Sequence, residues 1–441
     1  MRTRSLYTEG FVIEYVKVAS VLKGGYEGRE VKLRGWVYRR RLHKDKAFIL
    51  LRDCSGIIQL VAEANSGPYL NASRAGIESA IEVSGIVVRD ERAPGGFEVH
   101  LRDLQIIGPS DRFPITRDAS YEYLLDVRHL WIRSRKLTSV FKVRHEIFRA
   151  IRDFFEQRGF YEVQGPMFIT AAVEGGATLF PVKYLGERTV YLTQSSQFYL
   201  EALIYSLEKV YTIAPSFRAE KSRTRRHLTE FWHAEAEVAW AHLEDILKIE
   251  EELICYVIEK VIENRSEELR TLGRNLNALE NVKPPFYRLS YDEAIYILRE
   301  RGFKIEWGED FGADEERELT KEYEKPVFIY GFPEKCKAFY HKNDPRRPEV
   351  TLSADLLAPE GYGEIMGGGE RISDVSELVE KIRRFNLNPS DYEWYIDLRR
   401  YGSVPHAGFG LGVDRLVMWI CGLNNIVDSI PFPRTIRRVY P

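Results

Sequence analysis

Five short runs rich in β-branched and aromatic residues follow one another between Val31 and Ile107. They read Val31-Lys32-Leu33-Arg34-Gly35-Trp36-Val37, Ala47-Phe48-Ile49-Leu50-Leu51-Arg52, Ile57-Ile58-Gln59-Leu60-Val61, Ile81-Glu82-Val83-Ser84-Gly85-Ile86-Val87-Val88 and Phe97-Glu98-Val99-His100-Leu101. Glycine or Asp53-Cys54-Ser55-Gly56 turns separate them, with one helix expected near Leu70 to Ala75. Strands at this spacing suit a small closed barrel of the OB-fold type. Gly108-Pro109-Ser110-Asp111-Arg112-Phe113-Pro114 then breaks all periodicity and marks a hinge. At 441 residues the chain exceeds one usual core. The expected division is a barrel over 1–108, a hinge or linker over 109–134 and a second domain over 135–441.

In the second domain Val140, Val143, Ile147, Ala150, Ile151 and Phe154 follow helical spacing, and that helix should stop at Gly159. Phe160 to Val163, Thr189 to Leu192, Val210 to Phe217, Phe231 to Val238, Val327 to Tyr330 and Val350 to Leu356 read as strands, and Leu243 to Glu263 as an amphipathic helix. Runs of strands with few interleaved helices predict an antiparallel α+β domain rather than a doubly wound sheet.

Composition narrows the function. No run of about 18 apolar residues exists and the N-terminus lacks an apolar h-region, so neither a membrane span nor a secretory signal is expected, and the location should be cytoplasmic. Cys54, Cys255, Cys336 and Cys421 stand apart without metal-ligand spacing, so buried free thiols are expected. A net charge of −2 offers no global footprint for nucleic acid; any RNA contact must come from a local patch.

Phe217-Arg218-Ala219-Glu220, followed by Arg226-His227-Leu228-Thr229-Glu230-Phe231, puts an arginine, carboxylates, a histidine and an aromatic between apolar runs. Those groups suit a nucleoside triphosphate: a planar cation for phosphate, acceptors for the adenine amino group and a ring to stack on the base. Gly408-Phe409-Gly410-Leu411-Gly412-Val413-Asp414-Arg415 is a second cluster. It is not the dinucleotide fingerprint; glycines that let a strand pass close under a helix, with Arg415 in its first turns, explain it better. Paired acids such as Asp355 and Glu364 usually form a solvated face, and the basic run Arg39, Arg40, Arg41, His43, Lys44 and Lys46 is on its own ordinary surface.

In combination these stretches resemble motifs 2 and 3 of the class II aminoacyl-tRNA synthetases, and with Thr193-Gln194-Ser195-Ser196-Gln197 and Pro431-Phe432-Pro433-Arg434-Thr435 the chain is similar to the asparaginyl enzymes of archaeal type. The resemblance implies a ligase that uses ATP and Mg²⁺ to join L-asparagine to tRNA(Asn). It implies that Arg218 bridges the amino acid carboxylate and the α-phosphate, Glu220 and Phe231 hold adenine, Arg226 and His227 lie towards the β- and γ-phosphates, and Arg415 beside Gly412 covers the γ-phosphate and adenine. Asp355 and Glu364 become Mg²⁺ ligands, a role that hard carboxylates suit. Arg371 and Glu235 read the substrate's side chain, while Glu174, Ser195 and Gln197 complete the amino acid site, and the triple glycine Gly367-Gly368-Gly369 lets ligand approach the backbone. The similar aspartyl enzymes read Gln-Ser-Pro-Gln-Leu-Tyr-Lys-Gln where this chain has Gln194 to Glu201. Leu200 stands in place of that lysine, which favours asparagine over aspartate. In the barrel, Phe48, Gln59 and Arg39 are the implied anticodon readers, Phe48 having a core aromatic as its bland alternative. The helix before Pro166 corresponds to motif 1, which implies a homodimer through an apolar surface at Ile147 and Phe154. The competing readings are a nondiscriminating aspartyl-tRNA synthetase, an asparagine synthetase-like paralogue and a catalytically dead RNA-binding protein; the barrel counts against the second and the full set of ATP contacts against the third.

Overall fold

The computed structural model describes residues 15–173, 178–219 and 224–441. The chain forms two compact units, one ending at Ser120 and one beginning at Tyr121.

In the first unit β1 (Glu30–Leu42), β2 (Lys46–Arg52), β3 (Ile57–Glu63), β4 (Ala80–Arg89) and β5 (Phe97–Gly108) close into a barrel in the order β1-β2-β3-β5-β4. Strict alternation sends Val31, Leu33 and Val37 of β1 and Ala47, Ile49 and Leu51 of β2 inwards. Each large aliphatic side chain so buried contributes about 1.5–3 kcal/mol. The helix Gly67–Arg74 falls where it was expected, capped by the Ser66 hydroxyl on Tyr69 N–H.

The second unit contains β6 (Tyr161–Glu162), β7 (Phe168–Ile169), β8 (Pro181–Tyr184), β9 (Arg188–Leu192), β10 (Lys209–Phe217), β11 (Glu230–Ala239), β12 (Tyr287–Ser290), β13 (Val327–Tyr330), β14 (Asn343–Asp344), β15 (Arg347–Thr351), β16 (Ser353–Ala358), β17 (Gly363–Glu370) and β18 (His406–Gly412). Eight of them form one sheet, ordered β12-β13-β16-β17-β18-β11-β10-β6, antiparallel except for the outermost pair at each end. The helices Arg135–Gln157 and Leu243–Leu272 pack together, and Glu250 of the second lies against Gly368 of β17.

Several expectations need correction. Residues 121–134, assigned to the hinge, form the short helices Tyr121–Asp126 and Arg128–Trp131 of the second unit; buried Arg128 donates to the carbonyls of Val427, Ile430 and Pro431. Val350 to Leu356 is two strands, β15 and β16, in different sheets. The helix expected to end at Glu263 continues to Leu272 past an irregular turn at Arg265. Ile147 and Phe154 are fully buried within the single chain, so this stripe is core and exposes no apolar surface. Cys54 is exposed, and only Cys421 of the four thiols is buried.

Candidate active site

Side-chain alternation on β11 builds the site. Phe231, His233, Glu235 and Glu237 lie two residues apart and project to one side of the sheet. The register sets His233, Glu235 and Glu237 opposite Gly412, Gly410 and Gly408 of β18. A Cβ at Gly410 would stand 2.6 Å from His233 Nε2, and one at Gly408 only 2.1 Å from Glu237 Oε1. Gly408 and Gly410 are therefore the space that Glu237 and His233 occupy. In the triple glycine of β17, Gly367 and Gly368 line the cavity over this face, while a Cβ at Gly368 would stand 2.7 Å from Glu250 Oε1 and one at Gly369 2.8 Å from His341 Nδ1, so the protein itself also requires the missing side chains.

Over this face lies a cavity of about 480 Å³ lined at one end by Ser195, Gln197, Glu235, Glu237, Tyr340 and Arg371, and at the other by Arg218, Arg226, His227, Asp355, Glu364 and Arg415. An adjoining recess is lined by Phe231, Gly412, Arg218 and Arg415. The Arg218 guanidinium stands 5.4 Å from the Phe231 ring centre, a stacking distance. At the first end Glu235 is 3% exposed and accepts from the Ser195 hydroxyl and from Ser196 N–H at 2.8 Å. Arg371 donates to Glu237 through Nε and Nη2, and against the cost of burial that carboxylate raises the Arg371 pKa above its ordinary value. Glu250, fully buried behind the sheet, is pushed well above the usual carboxyl range by burial and by Asp355.

At the other end Arg226 donates to Glu316 at 2.6 Å and to the Glu364 carbonyl at 2.9 Å, while Arg415, third in the helix Val413–Ile420 after its Gly412 N-cap, reaches the Glu364 carboxylate at 2.7 Å. His227 lies 3.5 Å from Arg415. Asp414 ties this helix down, accepting from Arg144 at 2.5 Å and Trp232 N–H at 2.7 Å.

Asp355 on β16 and Glu364 on β17 converge: a Cβ at Gly367 would stand 3.0 Å from an oxygen of the first and 3.6 Å from an oxygen of the second. Burial, helped by Glu364 and Asp310, outweighs Lys337 and pushes Asp355 up to about 7; against burial, Arg415 and Lys337 hold Glu364 down to about 2. The Lys337 ammonium lies 2.5 and 2.7 Å from the two Asp355 oxygens, so positive charge is already drawn to this point. Among the described residues no group of three or more His, Cys, Asp or Glu could hold a metal by itself. Two carboxylates opening into a cavity fit Mg²⁺ as it is usually held, with water and substrate phosphates completing the shell.

The cavity thus brings together Arg218, Arg226, His227, Arg415, Asp355, Glu364, Ser195, Gln197, Glu235 and Arg371, with Phe231 and Gly412 in the adjoining recess. Glu174 and Glu220 lie outside the described residues. Sequence reasoning missed Glu237, His233, Lys337 and Asp310. The first two were legible, being spaced by two from Glu235 on one strand; Lys337 and Asp310 come from distant loops with no local signal. In the barrel, the register pairs Arg39 with Leu50, Leu50 with Gln59 and Phe48 with Arg41, which places Arg39, Phe48 and Gln59 on the outward face. Phe48 is half-buried and lies outside the barrel core, meeting His43 edge-on at 5.9 Å. Gln59 donates to Glu98 at 2.8 Å.

Residues 120–436 match the family of class II tRNA synthetases (D, K and N), and residues 31–107 match the OB-fold nucleic acid binding domain. Asparagine–tRNA ligase of Thermococcus gammatolerans is 54% identical, covering 98% of this chain and 100% of that protein; the Thermoplasma acidophilum ligase is 52% identical over 97% and 100%. The crystal structure of asparaginyl-tRNA synthetase from Pyrococcus horikoshii complexed with asparaginyl-adenylate superposes with a TM-score of 0.94 at 50% identity, covering 97% of this chain and 100% of that one. The chain belongs to the class II aminoacyl-tRNA synthetases, with an OB-fold domain ahead of the class II catalytic domain. Within that class it is a member of the asparagine–tRNA ligases.

Proposed function

We propose that this enzyme activates L-asparagine with ATP and transfers it to tRNA(Asn) in the cytoplasm. An asparagine carboxylate oxygen attacks the α-phosphorus in line, giving asparaginyl-adenylate and pyrophosphate; the terminal ribose hydroxyl of the tRNA then attacks the adenylate carbonyl and AMP leaves. Positioning and charge do the work, and no general base is required. Arg218 bridges the carboxylate and the α-phosphate, Phe231 stacks on adenine, and Glu220 accepts from its amino group. Arg226, His227 and Arg415 lie along the β- and γ-phosphates, with Gly412 opening the helix that carries Arg415. Asp355 and Glu364 would hold Mg²⁺, whose charge offsets that of the triphosphate. Glu174 and Gln197 take the α-amino group.

The observation that carries asparagine over aspartate is Leu200. It stands where the similar aspartyl enzymes carry a lysine, and it is buried in an apolar cluster with Ile204, Val210 and Ala239, so this position supplies no cation. Glu235 supplies an acceptor for the amide NH₂, and its two hydrogen bonds from Ser195 and Ser196 hold it in place. ATP–pyrophosphate exchange with each amino acid tests this: asparagine should exceed aspartate by a factor on the order of 10⁴. Equal rates would reject the assignment.

Arg39, Phe48 and Gln59, on one outward face of the barrel, would read the anticodon. The reading includes a homodimer, now supported by Tyr161 and Phe168, 58% and 50% exposed on either side of Pro166, rather than by the buried helix stripe. A monomeric mass at micromolar concentration with full activity would remove that part. Among the described residues no helix is long and apolar enough to cross a membrane.

A further inference from the structure

Behind the amino acid end of the cavity lies a charged cluster that the two-step reaction leaves without a role. Glu201 sits one turn after Gln197 in the helix Gln197–Leu207, so the two side chains share a face. Tyr395 and Arg399 approach from the helix Glu393–Arg400, and His406 from the start of β18. The side chains of Glu201, Arg399 and His406 are 0% exposed. Glu201 accepts from Tyr395 hydroxyl at 2.8 Å, from Arg399 Nη2 at 2.5 Å and from Gln197 Nε2 at 2.9 Å, and lies 3.0 Å from His406 Nε2. Burial disfavours its charge, but Arg399 and His406 more than offset this and hold its pKa below the ordinary value.

We infer that Glu201 is a positioning residue for asparagine: as an acceptor-only carboxylate it fixes the Gln197 amide with its NH₂ inwards and presents the carbonyl oxygen to the cavity, where it receives the substrate's ammonium group. The argument is one of donors and acceptors. The two ends of a glutamine amide have nearly the same shape, and a pocket selects between them only through hydrogen bonding. An ionised carboxylate already accepting from a hydroxyl and a guanidinium can meet only the NH₂ end. Gln197 also lines the cavity at 6% exposure, so its other end belongs to the site. A neutral amide at 201 could present its own NH₂ or its oxygen, and Gln197 would then be free to turn its donor towards an ammonium ion. Such a reversal repels the substrate before any chemistry, and it acts on binding rather than on the rate of the bound complex.

The inference rests on the proposed role of Gln197 and is tested by a double-mutant cycle in ATP–pyrophosphate exchange with Gln197→Leu, Glu201→Gln and the two combined. Glu201→Gln should raise the KM for asparagine about ten- to a hundredfold, with far smaller changes in kcat and in the KM for ATP. Combined with Gln197→Leu it should add nothing, because the amide through which it acts is gone. Full additivity in the double variant, or an unchanged asparagine KM in Glu201→Gln, overturns the positioning role. An unchanged KM in Gln197→Leu overturns the reading of Gln197 itself, and this inference with it. If Glu201→Gln does not fold because Arg399 is left charged and unpaired, Glu201→Gln with Arg399→Met removes both charges together, and the same cycle is run on that background.

Discussion

The outward face of the barrel and the cavity over the central sheet both gather arginines and aromatics, yet they hold them differently. Arg39 is exposed and rests 5.0 Å over the ring of its neighbour Tyr38, while Phe48 touches His43 at its edge. Arg371 is 3% exposed, grips Glu237 and lies 5.3 Å from the Tyr340 ring centre. A face open to water can keep its groups independent, since solvent satisfies whatever a substitution leaves behind. Out of water each charge depends on its partner, and removing one leaves the other unpaired. Under the proposed function, the independent groups of the barrel face would read single unstacked bases, and the coupled charges of the cavity would hold phosphates in fixed geometry.

That contrast can be broken at either end. Glu237→Ala should have the largest effect, about 3–5 kcal/mol of stability, because it strands the buried Arg371 charge. Thermal unfolding measures it, and a loss near zero would mean the cavity charges are not coupled. Arg218→Ala should slow adenylate formation on the order of a hundred- to thousandfold while the melting temperature stays close to wild type, since its side chain lines the cavity. Near-normal exchange in that variant would make the motif structural. Phe48→Ala should weaken tRNA binding by about 1–3 kcal/mol and leave tRNA-independent exchange unchanged. A loss of barrel stability approaching that of a truncated core aromatic, about 3–5 kcal/mol, would instead return Phe48 to the core. The smallest effect is expected for Gln59→Ala, about 0.5–1.5 kcal/mol in tRNA binding, additive with Phe48→Ala. Strong coupling between those two would erase the distinction between the two surfaces.

The barrel was legible because its strands are half-buried: period-two alternation in Val31, Leu33 and Val37 or in Ala47, Ile49 and Leu51 is written by the same physics that closes the sheet. The strands β17 and β18 were not legible by periodicity, since Gly363 to Glu370 and His406 to Gly412 have too few side chains to alternate; only their likeness to a known motif marked them. The span 121–134 was misassigned because its short helices gain their stability from Arg128 reaching residues some three hundred positions away, which no local window contains.

By itself the sequence determined the kind of protein: the barrel and the antiparallel second domain follow from local pattern, and the class follows from the likeness of the motifs around Arg218 and Arg415 to a known family. Tertiary structure alone decided which buried charges face one another. Arg226 on Glu316, Arg371 on Glu237 and Arg399 on Glu201 join segments far apart in the chain, and Lys337 on Asp355 joins a loop to a strand 18 positions on. Ion pairing of this kind depends on distance and on exclusion from water, and neither is defined until the strands and helices that carry these groups have packed.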